Sequence, residues 1–168
     1  MRADNDRKIK VGALTAALLI PLLTGVFSAF LTASDMDLYE TMNRPALAPP
    51  GWLFPIAWTV LYILMGLASY IVLTSSEDQD KKRRALTVYA AQLIMNFFWC
   101  TIFFTYRLYL VSFIWLLMMW ILVIICAVMF FRIRRKAGLM MLPLALWTTF
   151  AAYLNLATYI MSVTAKPL

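Results

Sequence analysis

The chain consists of long apolar runs separated by short polar connections. Five of these runs contain no charged residue, and each is long enough, at about twenty residues, to cross a bilayer as a helix. They cover residues 11–30, 52–73, 85–106, 108–131 and 139–163. The pattern predicts an all-α integral membrane protein, in which a five-transmembrane-helix bundle forms a single domain over residues 1–168.

The connection between the first two runs, residues 31–51, is longer than the others. Pro45, Pro49 and Pro50 disfavour helix in the residues that precede them, so we expect a stiff, extended approach to the second run. The second helix can begin only after Pro50, with Pro55 in its first turn, where a missing N–H costs little. We interpret this loop as a lid over a functional site.

Composition supports the membrane setting and excludes other classes. The chain is 64% hydrophobic, which a soluble domain of 168 residues could not bury. Its net charge of +7 comes from basic clusters between apolar runs, so we do not expect a nucleic-acid partner. Cys100 and Cys126 lie inside apolar runs and histidine is absent, so neither a disulfide framework nor a metal site is expected. The first run is about twice as long as a signal-peptide core, which favours a retained helix.

The distribution of basic residues predicts the orientation in the membrane. Twelve of them lie in the N-terminal segment, the second-to-third connection and the fourth-to-fifth connection, which all face one side. The other side has only Arg44, Arg107 and Lys166. The positive-inside rule therefore places the N-terminus in the cytoplasm and the C-terminus outside, and we interpret the clusters as topology signals and headgroup contacts.

Polar and aromatic residues recur at helical spacing on the second and third runs. Gln92 and Asn96 are four residues apart, and Trp99 follows one turn later, so one face presents two amides and an indole. Trp58 and Tyr62 align in the same way. Polar groups inside a membrane face the bundle interior, which predicts that these side chains point inward.

The fifth run places a small residue between an aromatic residue and an amide. Trp147, Ala151 and Leu154 share a face with Asn155. One interpretation is that the amides are hydrogen-bonded glue between helices and that Trp52 belongs to an interfacial aromatic belt. The alternative, which the three faces together favour, is a pocket for a large, flat, apolar ligand beneath the loop.

Three segments resemble the motifs of the TspO/translocator protein family, the tryptophan-rich sensory proteins once called peripheral benzodiazepine receptors. They read NRPALAPPGWLFPIAWTVLYILMG, QLIMNFFWCTIFF and PLALWTTFAAYLN. The resemblance implies a five-helix bundle, a homodimer, and a porphyrin site closed by the first loop. Eukaryotic members bind cholesterol and isoquinoline or benzodiazepine ligands.

With Tyr62 and Gln92 from the polar faces, the motif positions form the expected ligand-binding set. It comprises Tyr39, Pro49, Trp58, Tyr62, Gln92, Asn96, Trp99, Trp147, Ala151 and Leu154.

The chain departs from the family pattern at several positions. Leu38 and Leu47 stand where relatives often have tryptophan, and Leu144 stands where tyrosine is common. In the fourth run Trp115 replaces an aspartate, so different packing is expected there. Lys166 lies one position too far from Tyr159 for the loose sterol motif, and we do not predict sterol binding.

Three function classes remain open, with binding ranked first, transport second and enzyme third. The first is a receptor or sensor for tetrapyrroles such as protoporphyrin IX, because aromatic stacking can hold a metal-free ring without a histidine. A transporter would need broken helices, and only Pro21 offers a clear mid-span break. The resemblance also allows light-dependent porphyrin breakdown involving Trp58 and Trp147, although no acid–base pair supports dark catalysis. No cofactor is expected apart from porphyrin as a ligand, and the expected location is a bacterial cytoplasmic membrane.

Overall fold

A computed structural model describes residues 2–41, 45 and 47–164, with side chains from residue 10 onward except at 34 and 36–41. This part of the chain folds into five α-helices and one π-helical segment, the π turn, without a strand. Their bounds are α1 Arg2–Thr41, α2 Leu53–Leu73, α3 Gln79–Cys100, the π turn Thr101–Thr105, α4 Tyr109–Ile133 and α5 Arg135–Thr164. All five α-helices are long and apolar enough to cross a membrane, which confirms the predicted fold class.

The first helix extends past its predicted span, so the predicted bounds of the first loop are wrong. A loop was expected over residues 31–51, whereas α1 continues to Thr41. Residues 34–41 contain neither glycine nor proline, so nothing in them breaks the helix after the apolar stretch ends. α1 also continues through Pro21, as transmembrane helices can, and the expected break there is absent.

The second helix begins where the prolines predict. The Leu53 N–H donates to the Pro50 carbonyl at 3.0 Å, and α2 starts at Leu53 with Pro55 in its first turn. Before it, the Ala48 N–H donates to the Pro45 carbonyl at 3.1 Å and closes a turn. The described end of the loop is therefore a folded segment whose bends are set by proline.

The turn between α2 and α3 is held by side chains at both helix ends. Asp78 caps α3, because its carboxylate accepts hydrogen bonds from the N–H groups of Asp80 at 2.9 Å and Lys81 at 3.2 Å. Lys82 is buried and its ammonium donates to the Ser75 carbonyl at 3.1 Å, next to the end of α2. These caps start α3 at Gln79, six residues before the charge-free run.

The hydrophobic core lies mainly between α2, α3, α4 and α5. A large cluster includes the fully buried Met65, Val72, Val123, Phe130 and Met141. A second cluster contains Trp99, Phe103, Leu116 and Met119. Many aliphatic and aromatic side chains stay exposed on the outer surface, where lipid would surround them.

Two glycines allow neighbouring helices to approach closely. A Cβ atom on Gly66 of α2 would lie 2.7 Å from the Ala17 carbonyl oxygen of α1. A Cβ atom on Gly138 of α5 would lie 2.7 Å from the Phe131 backbone nitrogen of α4. Since real Cβ atoms do not make such contacts, both helix pairs depend on glycine at these points.

Candidate ligand-binding site

The aromatic face of α2 and the polar face of α3 meet through one buried hydrogen bond. The Trp58 and Tyr62 rings stack with centroids 5.5 Å apart. The Tyr62 hydroxyl then donates to Asn96 Oδ1 at 2.8 Å. Gly25 of α1 leaves room for this ring, because a Cβ there would overlap the Tyr62 side chain. The predicted inward orientation of these three side chains is confirmed by their contacts.

The aromatic residues of α5 complete a wall beside this pair. The Trp147 ring meets Trp58 edge to face at 6.4 Å and Phe54 at 6.1 Å, both typical of attractive aromatic pairs. Phe54 belongs to the first turn of α2, so the wall reaches from the middle of the bundle to the described part of the loop.

A small cavity opens on the loop side of this wall. Its volume is about 30 Å³, with an almost entirely apolar lining. The lining residues are Pro45, Ala48, Phe54, Trp99, Phe103, Phe104, Ala151, Leu154, Asn155 and Thr158. Pro45 and Pro49 are buried, and Pro45 and Ala48 line the cavity, so this described part of the loop lies against it.

The π turn brings two further rings into the cavity. The Tyr106 N–H donates to the Thr101 carbonyl at 3.0 Å, five residues back, which widens the helix at this point. Trp99 stacks on Phe103 at 5.4 Å, and Phe104 packs edge-on against Phe103 at 4.9 Å. One side of the cavity is therefore an aromatic cluster. In an uninterrupted α-helix, Phe103 and Phe104 would be rotated away from the cavity.

Asn155 anchors the cavity floor by hydrogen bonds to two other helices. In the amide orientation that satisfies both its nitrogen and its oxygen, the oxygen accepts from Trp99 Nε1 at 3.2 Å. The nitrogen donates to the Tyr109 carbonyl at 2.9 Å. The indole of Trp99 is thus fixed in orientation by α5, and the expectation of interhelical glue holds for Asn155.

Two amides of α3 lie deeper in the bundle with unused hydrogen-bonding capacity. Gln92 is fully buried, and within the described residues neither atom of its amide has a partner. The nitrogen of Asn96 is also unpartnered there. Buried polar atoms of this kind cost free energy, so they are candidates for pairing with a ligand or water.

The predicted site residues fall into distinct groups. Trp99, Ala151 and Leu154 line the cavity. Trp58, Tyr62 and Trp147 form the adjacent wall, Asn96 bonds to Tyr62, and Gln92 is buried elsewhere on α3. Pro49 is buried in the covering loop, whereas the side chain of Tyr39 lies outside the described residues.

Several lining residues were missed from the sequence. Phe103 and Phe104 reach the cavity only because of the π turn, which no local signal indicated. Phe54 could have been found, since it precedes Trp58 by four residues on the same face of α2. At Trp115, the departure from the family pattern is accommodated by a hydrogen bond from its indole to the Met95 carbonyl at 2.8 Å.

The polar groups near the cavity are amides, a hydroxyl and an indole N–H. Among the described residues, no group of three or more histidine, cysteine, aspartate or glutamate side chains is placed to hold an ion. The arrangement instead offers ring faces, aliphatic surface and a few amides. A lining of this kind is suited to stacking and shape complementarity, with polar groups that could orient a ligand.

Comparison with known proteins places this architecture in a family. The sequence model of the TspO/MBR family matches residues 17–161. The tryptophan-rich protein TspO of Chlorobaculum tepidum is 33% identical over 145 residues, covering 84% of this chain and 92% of the relative. The protein of the same name from Archaeoglobus fulgidus is 33% identical over 150 residues, covering 89% and 96%. The translocator protein of Bos taurus is 28% identical over 139 residues, covering 82% of each chain. The chain therefore belongs to the TspO/MBR family.

Proposed function

We propose that this protein is a membrane receptor or sensor that binds flat hydrophobic ligands in the bundle cavity. The ligand classes are tetrapyrroles, with protoporphyrin IX as the representative, and isoquinoline or benzodiazepine-type molecules. Family membership supports the sensor- or receptor-type role. The observation that carries the ligand class is the aromatic cavity between α2, the π turn and α5 beneath the loop.

The lining explains why a flat ring would bind. Trp99, Phe103 and Phe104 supply ring faces and edges, and Ala151 leaves space opposite them. Offset stacking and edge-to-face contacts contribute about 0.5–1.5 kcal/mol per aromatic pair beyond the burial of apolar area. Since the chain has no histidine, a metal-free tetrapyrrole held by stacking suits the site better than one held through iron.

The size of the cavity implies that binding requires movement. Its volume of about 30 Å³ is far below the roughly 300–1,000 Å³ of sites that hold drug-sized molecules. Pro45 and Ala48 of the loop line the cavity together with Phe103 and Phe104 of the π turn, so the loop and the π turn are the elements that would move. The structure described here is therefore the closed form of the proposed site.

Ligand titration tests the proposal directly. Protoporphyrin IX, haem, an isoquinoline carboxamide and cholesterol would each be titrated into purified protein, with ligand absorbance and tryptophan fluorescence as readouts. Trp99→Phe should weaken protoporphyrin binding about tenfold, because a stacking surface and the bond to Asn155 are both lost. Trp120→Phe is the matched control, since Trp120 bonds Thr149 and is not among the lining residues. Equal affinity in both variants and the parent would contradict the proposed site.

The one sequence feature that could have favoured transport, a break in the first helix, is not found in the structure. The transport alternative depended on a helix break at Pro21, and α1 continues through that residue. Faster flux of protoporphyrin across the membrane of proteoliposomes than across that of empty liposomes would support transport.

Light-dependent porphyrin breakdown is a second candidate because Trp58 and Trp147 are in contact. Their ring centroids lie 6.4 Å apart, and Trp147 also contacts Phe54, which lines the cavity. Illuminated protein with bound protoporphyrin should then lose porphyrin absorbance faster than protein carrying Trp147→Phe. If Trp120→Phe and Trp147→Phe bleach porphyrin at the parental rate, the breakdown does not involve this tryptophan pair.

A further inference from the structure

Four basic residues are concentrated where α4 meets α5. They are Arg132, Arg134, Arg135 and Lys136, and we call them the basic corner; all four are exposed. Only Arg134 separates the two helices, and its backbone is extended, with φ −148° and ψ 118°. Four positive charges thus lie within five consecutive residues at one end of the bundle.

The three carboxylates of the α2–α3 turn, at the same end of the bundle, are already engaged elsewhere. Glu77 pairs with Lys81 at 3.1 Å, and Asp80 pairs with Arg83 at 3.1 Å. Asp78 caps α3 through its side chain. The N–H of Asp78 and the ammonium of Lys81 hold the pKa of Glu77 below its ordinary value, so Glu77 is charged at neutral pH. Among the side chains that the structure describes, those of residues 10–33, 35, 45 and 47–164, no basic-corner residue has an ion-pair partner.

The corner is held in place by its surroundings. Arg134 donates to the Ser76 hydroxyl at 3.2 Å, which ties it to the α2–α3 turn. The Arg135 guanidinium lies 6.0 Å from the centroid of the Phe131 ring. The close approach at Gly138 leaves the α4–α5 turn little freedom. Arg134 and Arg135 are therefore oriented before an anion binds, which lowers the entropic cost of binding.

The arrangement of charges at the basic corner favours the binding of an anion. The first turn of α5 contains no acidic residue, and Arg135 and Lys136 lie at the positive end of the helix dipole. These neighbouring positive charges repel one another, and the positive end of the helix dipole repels them as well. A bound anion would reduce both repulsions. The corner joins the ends of two helices that are long and apolar enough to cross a membrane, and the phosphates of a bilayer lie just beyond its hydrocarbon core. We propose that the basic corner binds the phosphate of an anionic phospholipid headgroup.

The test compares lipid selectivity in two charge-matched variants. The parent protein would be reconstituted in phosphatidylcholine containing about one part in four of phosphatidylglycerol. Electron spin resonance of spin-labelled phosphatidylglycerol and phosphatidylcholine reports the relative association of each lipid with the protein boundary. The first variant is Arg135→Gln with Lys136→Gln. The control is Lys81→Gln with Arg83→Gln, which removes the same charge at the same end from residues that already have carboxylate partners.

The parent should prefer phosphatidylglycerol, and added salt should reduce the preference. Each basic residue near an anionic surface contributes about a fivefold preference, so the corner variant should lose most of the selectivity and the control little. No preference in the parent, or an equal loss in both variants, would overturn the assignment. Binding of inorganic phosphate in detergent, together with no preference for phosphatidylglycerol in the membrane, would identify a free anion as the partner and also overturn it. Thermal unfolding in detergent checks that both variants fold.

Discussion

At the scale of single residues, small side chains decide how much space the bundle contains. Ala151 lines the cavity and packs on the cluster that contains Trp99 and Phe103, and Gly25 leaves space for the Tyr62 ring. Gly138 lets α4 and α5 touch. Adding even one methyl group at such positions changes either the site or the packing, because membrane bundles are close-packed.

Replacing Ala151 with threonine should weaken ligand binding. The added methyl and hydroxyl groups would enter the cavity, and the combined overpacking and unpaired hydroxyl cost about 1–3 kcal/mol, a tenfold to hundredfold loss of affinity. Fluorescence titration with protoporphyrin IX and an isoquinoline carboxamide measures this. Ala152→Thr is the control, because Ala152 packs on the same aromatic cluster but is not a lining residue. Unchanged affinity in Ala151→Thr, at parental stability, would remove Ala151 from the site.

Gly138→Ala should destabilise the protein by about 1–3 kcal/mol. Its Cβ would clash with the Phe131 backbone, which cannot move aside as a flexible side chain could. Thermal unfolding in detergent would show a lower midpoint. Gly12→Ala provides the comparison, since a Cβ there meets nothing within 4 Å and alanine favours helix. A Gly138→Ala protein as stable as Gly12→Ala would show that α4 and α5 are less tightly packed than described.

At the scale of elements, the π turn is the segment that most directly shapes the cavity. It carries Phe103 and Phe104, and it is also tied to α1, because Thr105 donates to the Asp35 carboxylate at 2.7 Å. π-Helical turns arise from one extra residue in a helix, and they are frequent at functional sites. The segment therefore connects the cavity with the part of α1 that precedes the loop.

Deleting Ile102 tests this role of the π turn. Removal of one residue should restore a regular α-helix and rotate the two phenylalanines relative to Trp99. We expect at least a tenfold loss of protoporphyrin affinity, measured by fluorescence titration, with the helical content retained by circular dichroism. Ile102→Ala keeps the extra residue and should preserve most of the binding. Full affinity in the deletion variant would mean that the π turn does not shape the ligand site.

At the scale of the whole molecule, the distribution of charge predicts the topology. Twelve basic residues lie on one side of the five spans and three on the other. A reporter fused to the C-terminus should therefore be active outside the cytoplasm in a bacterial host. A fusion at residue 2 should show the opposite activity. If the C-terminal reporter works only in the cytoplasm, the orientation is reversed.

The second prediction at this scale is a homodimer. The resemblance implies it, and small residues such as Ala13 with Ala17 and Gly25 with Ala29 offer surfaces for close helix approach. Gly25 is already used against Tyr62 within the bundle, so Ala13 is the better candidate for a contact between copies. Cross-linking in lipid at several protein densities should give a dimer whose fraction rises with density. A monomer at every density would contradict it.

Much of this protein follows from local patterns in its sequence. Apolar run length determines the five spans, the prolines determine where α2 begins, and four-residue spacing places Trp58 above Tyr62. These properties depend only on neighbours along one helix, where geometry is regular. For the same reason the sequence predicted that Gln92, Asn96 and Trp99 share a buried face.

The convergence of these faces was decided by tertiary packing. The sequence could not show that Asn155 would orient Trp99, that Phe103 and Phe104 would enter through a π turn, or that the cavity would be closed to about 30 Å³. Nor could it show that the buried Gln92 lacks a partner among the described residues. Each of these depends on the rotation and register of one helix against another. That rotation and register are set by side-chain volumes and contacts between residues distant in sequence, such as Gly25 against Tyr62, and not by the periodicity within a helix.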